Sequence, residues 1–164
     1  MSFVLQQTSD QIQHSSAIHT RAEIRSVNLI RSVLDAHKTE VHSSVPLTMK
    51  LSYSSAETNL SGCWLRVVID FTLHVLVMDK AEVAAPVMDL TARFEVVYQL
   101  QEEFIPTQEQ INAFSTGNAV YNYWPYFREY AQSEAMRASL PVLLIPFLRV
   151  QISVSPTPTE NPET

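Results

Sequence analysis

The chain predicts an α+β fold: a four-stranded antiparallel sheet, a meander with a long crossover after its first strand, packed by a long C-terminal helix. Three observations lead there. Apolar and polar residues alternate along 47–54, 63–78 and 87–100, the period-two pattern of half-buried strands. The connections between these runs are short, which favours antiparallel pairing. After Pro106 the apolar spacing becomes helical, and Val120, Trp124, Phe127, Ala131, Ala135 and Ala138 trace one stripe.

Residues 1–21 predict a loose N-terminal arm with room for a short helix near 8–19. Residues 22–35 fit two patterns at once. Ile24, Val27, Ile30 and Leu34 make a helical stripe, whereas Val27, Leu29 and Val33 alternate. A strand with a bulge, where one inserted residue swaps the faces, accommodates both. A polar linker over 36–46 ends at a proline. In the next strand Leu47, Met49, Leu51 and Tyr53 share a face. SAETNLSG, residues 55–62, has the composition of a turn. Along 63–78, Cys63, Leu65, Val67, Ile69, Phe71, Leu73, Val75 and Val77 form one apolar face, and Trp64 sits on the mixed one. A turn over 78–86 and a strand over 87–100 complete the sheet.

The remainder supplies the cover. Thr107 and Gln110 have capping-box spacing, so a helix is expected over 107–114. STGN interrupts it, and a second helix is expected over 118–139. Its segment NYWPYFREY, residues 122–130, holds five aromatic rings around a proline. Pro125 either lies in the first turn of a helix starting at Asn122 or kinks one starting near Asn118. The rings either fill a thick core or are also buried by another subunit. In the second case Val120, Tyr123, Trp124, Tyr126, Phe127 and Tyr130 form an oligomer interface. Pro141 and Pro146 bar a helix across LPVLLIPFLRV, leaving an extended apolar arm. Its side chains either complete the core or line a groove for extended peptide. Residues 151–164 have the composition of a disordered tail.

Composition narrows the function. A formal charge of −6 without a Lys/Arg cluster argues against nucleic acid. There are two glycines, where average usage predicts about eleven. Phosphate-cradling loops, dinucleotide fingerprints and nucleophile elbows need clustered glycines, so no nucleotide cofactor is expected. No apolar run approaches the ~20 residues of a membrane span, and MSFVLQQTSD lacks a signal peptide's pattern. A cytoplasmic protein without membrane insertion is expected. Cys63 stands alone and is expected as a buried inert thiol in a strand. His14, His19, His37, His42 and His74 have no cysteine pair or His-Glu-x-x-His motif beside them, so solvated histidines and no metal are expected. Glu102 and Glu103 are expected to face solvent in a turn. Nothing pairs a nucleophile with a base, so the chain does not predict an enzyme.

At this point the chain resembles the SecB family of export chaperones. The strand order and long helix match. Trp124, Pro125, Tyr126, Arg128 and Glu129 stand on the family's Phe/Tyr-Pro-Tyr-x-Arg-Glu pattern, followed by Ser139, Leu140, Pro141 and the run VLLIP. ARFEVVYQLQEEF is similar to the family's last strand. The resemblance covers 22–150, between the arm at 1–21 and the tail at 151–164. It implies a homotetramer, a dimer of dimers with the long helices between the sheets. It also implies an ATP-independent holdase that grips unfolded or extended polypeptide in hydrophobic grooves. The client-binding candidates are Val33, Leu34, Val45, Leu47, Trp64, Val142, Leu144 and Phe147.

Two departures shape the expectation. Export SecB proteins carry a second C-terminal helix, whereas FLRVQISVSPTPTENPET has the pattern of an extended segment and then a tail. Arg25 and Arg31 stand where export members use acidic residues to dock the SecA motor, so SecA docking is not carried over. Both departures resemble the solitary SecB-like chaperones of toxin–antitoxin systems, which protect an antitoxin. The alternative is a dedicated single-partner interaction protein on the same scaffold.

Overall fold

A computed structural model describes residues 3–37, 46–78, 84–140 and 142–153. The elements run β1 (Phe3–Thr8), α1 (Ser9–His19), β2 (Ala22–Ala36), β3 (Leu47–Ser61), β4 (Trp64–Met78), β5 (Ala84–Leu100), α2 (Gln108–Thr116), α3 (Asn118–Arg137) and β6 (Leu148–Ser153). Strands β2 to β5 form the expected antiparallel sheet, in the order β2-β5-β4-β3. The crossover after β2 therefore carries the chain from one sheet edge to the other. Residues 38–45 of that crossover, with candidate Val45 and His42, lie outside the described residues.

Strand β2 explains its own double pattern. Its register against β5 shifts twice, between Ile24 and Ser26 and between Leu29 and Arg31. Each inserted residue resets the alternation. Ile24, Val27, Leu29 and Leu34 all fall opposite apolar residues of β5, namely Tyr98, Val96, Phe94 and Leu90. Strand β3 corrects the expected turn at 55–62. One irregularity between Ser55 and Glu57 keeps pairing intact to Ser61, so Thr58 and Leu60 still face Val67 and Leu65. The actual turn is Gly62-Cys63. Gly62 has φ 60°, the left-handed value that a two-residue hairpin loop takes at its first position. Cys63 therefore lies half-buried in the turn rather than buried in the strand. Strand β5 begins at Ala84, ahead of the expected residue 87, and residues 79–83 lie outside the described residues.

One sheet face is covered. Leu65 to Val77 at alternate positions of β4, and Met88 to Leu100 at alternate positions of β5, are buried. Helix α3 lies over them through Val120, Tyr123, Trp124, Phe127, Ala131 and Ala135. Phe127 stacks on Phe71 at 4.5 Å and 14°. Tyr123 meets Phe94 edge-on, and its hydroxyl donates to the Val67 carbonyl at 2.8 Å. Burial raises the pKa of the Tyr123 phenol and pushes that of Tyr98 up to about 12. This corrects the interface expectation for Val120, Tyr123, Trp124 and Phe127. Their surface is spent inside their own chain, so a neighbour has nothing to touch. Of the six residues, Tyr126 is exposed and Tyr130 half-buried.

The helix begins at Asn118 and Pro125 is internal. The missing N–H leaves the Tyr121 carbonyl without its helical donor. Tyr121 and Pro125 are both exposed, so the break falls on the outer side, where it costs least.

The N-terminal segment is not a loose arm. Residues 3–8 form β1, which pairs in parallel with β6, Phe3 beside Leu148 and Thr8 beside Ser153. Thr8 and Gln11 then cap α1 reciprocally. Residues 151–153 of the expected tail accordingly belong to β6, and 154–164 lie outside the described residues. Leu5 and Leu148 are buried; one apolar anchor per terminus is too brief for a periodic signal. Gly117 joins α2 to α3 under buried Gln7. A Cβ there would lie 1.8 Å from Gln7 Nε2.

The other sheet face is open and laced with cross-strand ion pairs. Arg93 holds Asp70 through two bonds of 2.7 Å. Arg66 bridges Glu57, at 3.1 Å, and Glu95. No described helix is long and apolar enough to cross a membrane.

Candidate functional site

The arm after α3 is the most distinctive apolar surface. Helix α3 ends in a Schellman motif: Leu140 N–H donates to Ala135 O and Ser139 N–H to Met136 O, both at 3.0 Å. Ser139 takes the left-handed position, φ 58°, that glycine usually fills. Residues 142–147 then belong to no helix or strand before β6.

From there the side chains point out and in by turns, with one change of phase at Pro146. Leu143, Ile145 and Leu148 point into the core. Val142, Leu144 and Phe147 point out and are 70%, 79% and 72% exposed. The inner row and the backbone are fastened. Gln132 Nε2 donates to the Leu143 carbonyl at 2.9 Å, and Trp124 Nε1 to the Pro146 carbonyl at 3.2 Å. The Arg128 guanidinium lies over the Phe147 ring, 4.5 Å from its centroid. Its Nε is buried without a hydrogen-bond partner among the described residues. Three large apolar side chains are thus displayed on a pinned backbone. Strand β6 continues the display with exposed Val150 and Ile152.

The other client-binding candidates do not join this row. Val33 and Leu34 are neighbours in β2 and point to opposite faces. Val33 is exposed beside Thr91, while Leu34 packs on the core beside Leu90. Leu47 is half-buried on β3, at the other sheet edge. Trp64 is exposed on the open face at the hairpin end of β4. A second apolar display was not singled out from sequence. It comprises Ile24, Leu29 and Ile30 along the β2 edge, near a hollow lined by His19, Ile24, Tyr98, Phe114 and Asn122. Its signal was the double pattern of 22–35, which becomes legible only once both bulges are placed.

The site offers contact rather than chemistry. Among the described residues no group of three His, Cys, Asp or Glu side chains could hold a metal. The shifted carboxyls belong to the open face. Arg93 holds the Asp70 pKa below the usual range, and hydrogen bonds from His74 and His37 do the same for Asp89. Arg25 pairs with Glu23 at 2.9 Å and donates to Gln99 at 2.8 Å.

Comparison with known proteins points the same way. No family model matches the chain. The SecB-like chaperone Rv1957 of Mycobacterium tuberculosis strain H37Rv is 26% identical over 152 residues, spanning 83% of this chain and 82% of that protein. The SecB-like chaperone MT2006 of strain CDC 1551 matches to the same extent. A solved structure of Rv1957, in complex with a ChAD peptide from the Rv1956 HigA1 antitoxin, aligns with a TM-score of 0.70 at 22% identity. That alignment covers 85% of this chain and 99% of the other. The resemblance read from the Trp-Pro-Tyr-Phe-Arg-Glu helix and the strand order is thereby borne out, and the fold is SecB-like. Both relatives are SecB-like chaperones.

Proposed function

We propose that this chain, a relative of the SecB-like chaperones, is an ATP-independent holdase that binds extended polypeptide along its C-terminal arm, with an antitoxin among its clients. The observation that carries the reading is the outward row of Val142, Leu144 and Phe147 on an arm whose inward row is locked into the core. An extended client can match such a row through alternate side chains. The antitoxin client is supported by the peptide complex of the Mycobacterium relative. Assembly to a cytoplasmic homotetramer is part of the proposal. Exposed Ile24, Leu29 and Ile30 on an edge strand, with Tyr126, are the surface that fits it, because long apolar edges otherwise invite aggregation.

The test is suppression of client aggregation without nucleotide, using several slow-folding proteins and an antitoxin C-terminal peptide. Leu144→Asp places a charge in the row at a site where it unfolds nothing. It is expected to weaken client binding at least tenfold while light scattering reports an unchanged oligomer. Full activity in this variant would refute the arm as the binding surface. A second reading, one dedicated partner, is favoured by that single-peptide complex. Co-purification followed by mass spectrometry separates the two: many unfolded clients support the general holdase, one stoichiometric protein the dedicated partner.

A further inference from the structure

Away from the arm, Asp89 of β5 carries bonds that client binding does not use. His37, the residue after β2, places Nε2 2.8 Å from Asp89 Oδ2. His74 of β4 places Nδ1 2.5 Å from Asp89 Oδ1. One carboxylate thus bridges two imidazoles. Strand β5 lies between β2 and β4, so the rings approach it from opposite sides. The backbone adds a tie, since His37 N–H donates to the Val87 carbonyl at 2.9 Å. Among the described residues, the other charged groups facing the cluster are Asp35, across from Asp89 on β2, and Lys50, across from His74 on β3. Their charges offset.

We propose that His37, Asp89 and His74 form a pH-graded clasp that fastens the end of edge strand β2 to the open face of the sheet. An edge strand is held by a neighbour on one side only, and strand ends open first. Imidazoles change charge between pH 5 and 8. A neutral ring gives the carboxylate one ordinary N–H···O bond. A cationic ring gives a charge-assisted bond, roughly twice as strong. The two bonds hold the Asp89 pKa below the usual carboxyl range, so it stays ionised above about pH 5. Acidification from pH 8 to 6 therefore tightens the end of β2 without changing the fold. The consequence is control over how firmly the segment carrying Val33 and Leu34 is held, whatever the arm binds.

The test is residue-resolved hydrogen exchange on the full chain at pH 8, 7 and 6, corrected for intrinsic rates. Protection of the His37 amide is expected to rise about two- to fivefold on acidification, the span of an exposed ion pair. Asp89→Asn is expected to abolish that rise, and His74→Gln to halve it, with circular dichroism unchanged. Flat protection in the unmodified chain, or a rise that survives Asp89→Asn, overturns the proposal. Should Asp89→Asn not fold, NMR titration of the ring nitrogens decides. Loss of the His37 ring must then shift the His74 titration, and an unmoved curve overturns the clasp.

Discussion

Truncating Phe127 to alanine separates a core reading of the long helix from an interface reading. The ring is fully buried, stacks on Phe71 at 4.5 Å and lies 5.8 Å from Trp124 and 6.5 Å from Phe94. Removing a buried phenylalanine costs about 3–5 kcal/mol in lost transfer energy and cavity. The stacked pair contributes about 0.5–1.5 kcal/mol of this beyond area. In a chain of this size that lowers the melting temperature by roughly 6–20 °C. Chemical denaturation at several protein concentrations is the assay. Because all of the ring's partners lie in its own chain, the loss should be the same at every concentration. Tyr126→Ala, at an exposed position, should leave monomer stability nearly unchanged and act on mass by light scattering. A loss below about 1 kcal/mol for Phe127→Ala, or one that grows on dilution, would refute the core assignment.

Three further outcomes are expected. Gly117→Ala should destabilise by about 1–3 kcal/mol through overpacking against Gln7, and Gln7→Ala in the same chain should recover part of it; additive losses in the double-mutant cycle would count against the contact. Ser139→Gly relieves a left-handed strain of about 1–2 kcal/mol against a glycine entropy cost of about 0.5–1, so a net gain of up to ~1 kcal/mol should appear in urea melts; a loss would show that the serine is not strained. Asp70 has its folded pKa depressed by Arg93, so its stabilisation is full above the unfolded value of about 3.9 and is lost as pH falls through the folded value. Asp70→Asn should therefore be less stable than the parent at pH 7, with the gap closing in acid; a gap constant across this range would exclude the linkage.

The sheet was legible because a sustained period of two cannot be laid on a helix, whose period is about 3.6. The faces of β4 and β5 follow it residue by residue, from Leu65 to Val77 and from Met88 to Leu100. Composition misled where it stood in for pairing. SAETNLSG looks like a turn, yet β4 offers a partner for every residue but the bulged Ala56 and the turn's Gly62, so the strand continues. The two terminal strands were invisible for another reason. Each is six residues long and is held by the other across the whole chain, and neither carries a pattern that its own window could reveal.

The aromatic helix marks the boundary between what a sequence states and what it leaves to geometry. A lone helix on a sheet buries a limited sector, and NYWPYFREY exceeds it, so a second cover had to exist. Of the two covers the sequence allows, a thick core and another subunit, the buried rings of α3 take the first. Trp124 faces Phe3 at 5.6 Å and bonds Pro146, while Gln132 holds the Leu143 carbonyl. The cover is the chain's own arm, with β1 behind it. This gives the arm two rows with separate duties. Leu143, Ile145 and Leu148 close the core, and Val142, Leu144 and Phe147 are left outside, the in-out pattern changing phase at Pro146. Pro146, which cannot sit inside a helix, falls where the pattern changes phase. The same residues that complete the fold therefore create its exposed apolar row. A substitution in the inner row should cost stability and client binding together, whereas one in the outer row should cost binding alone.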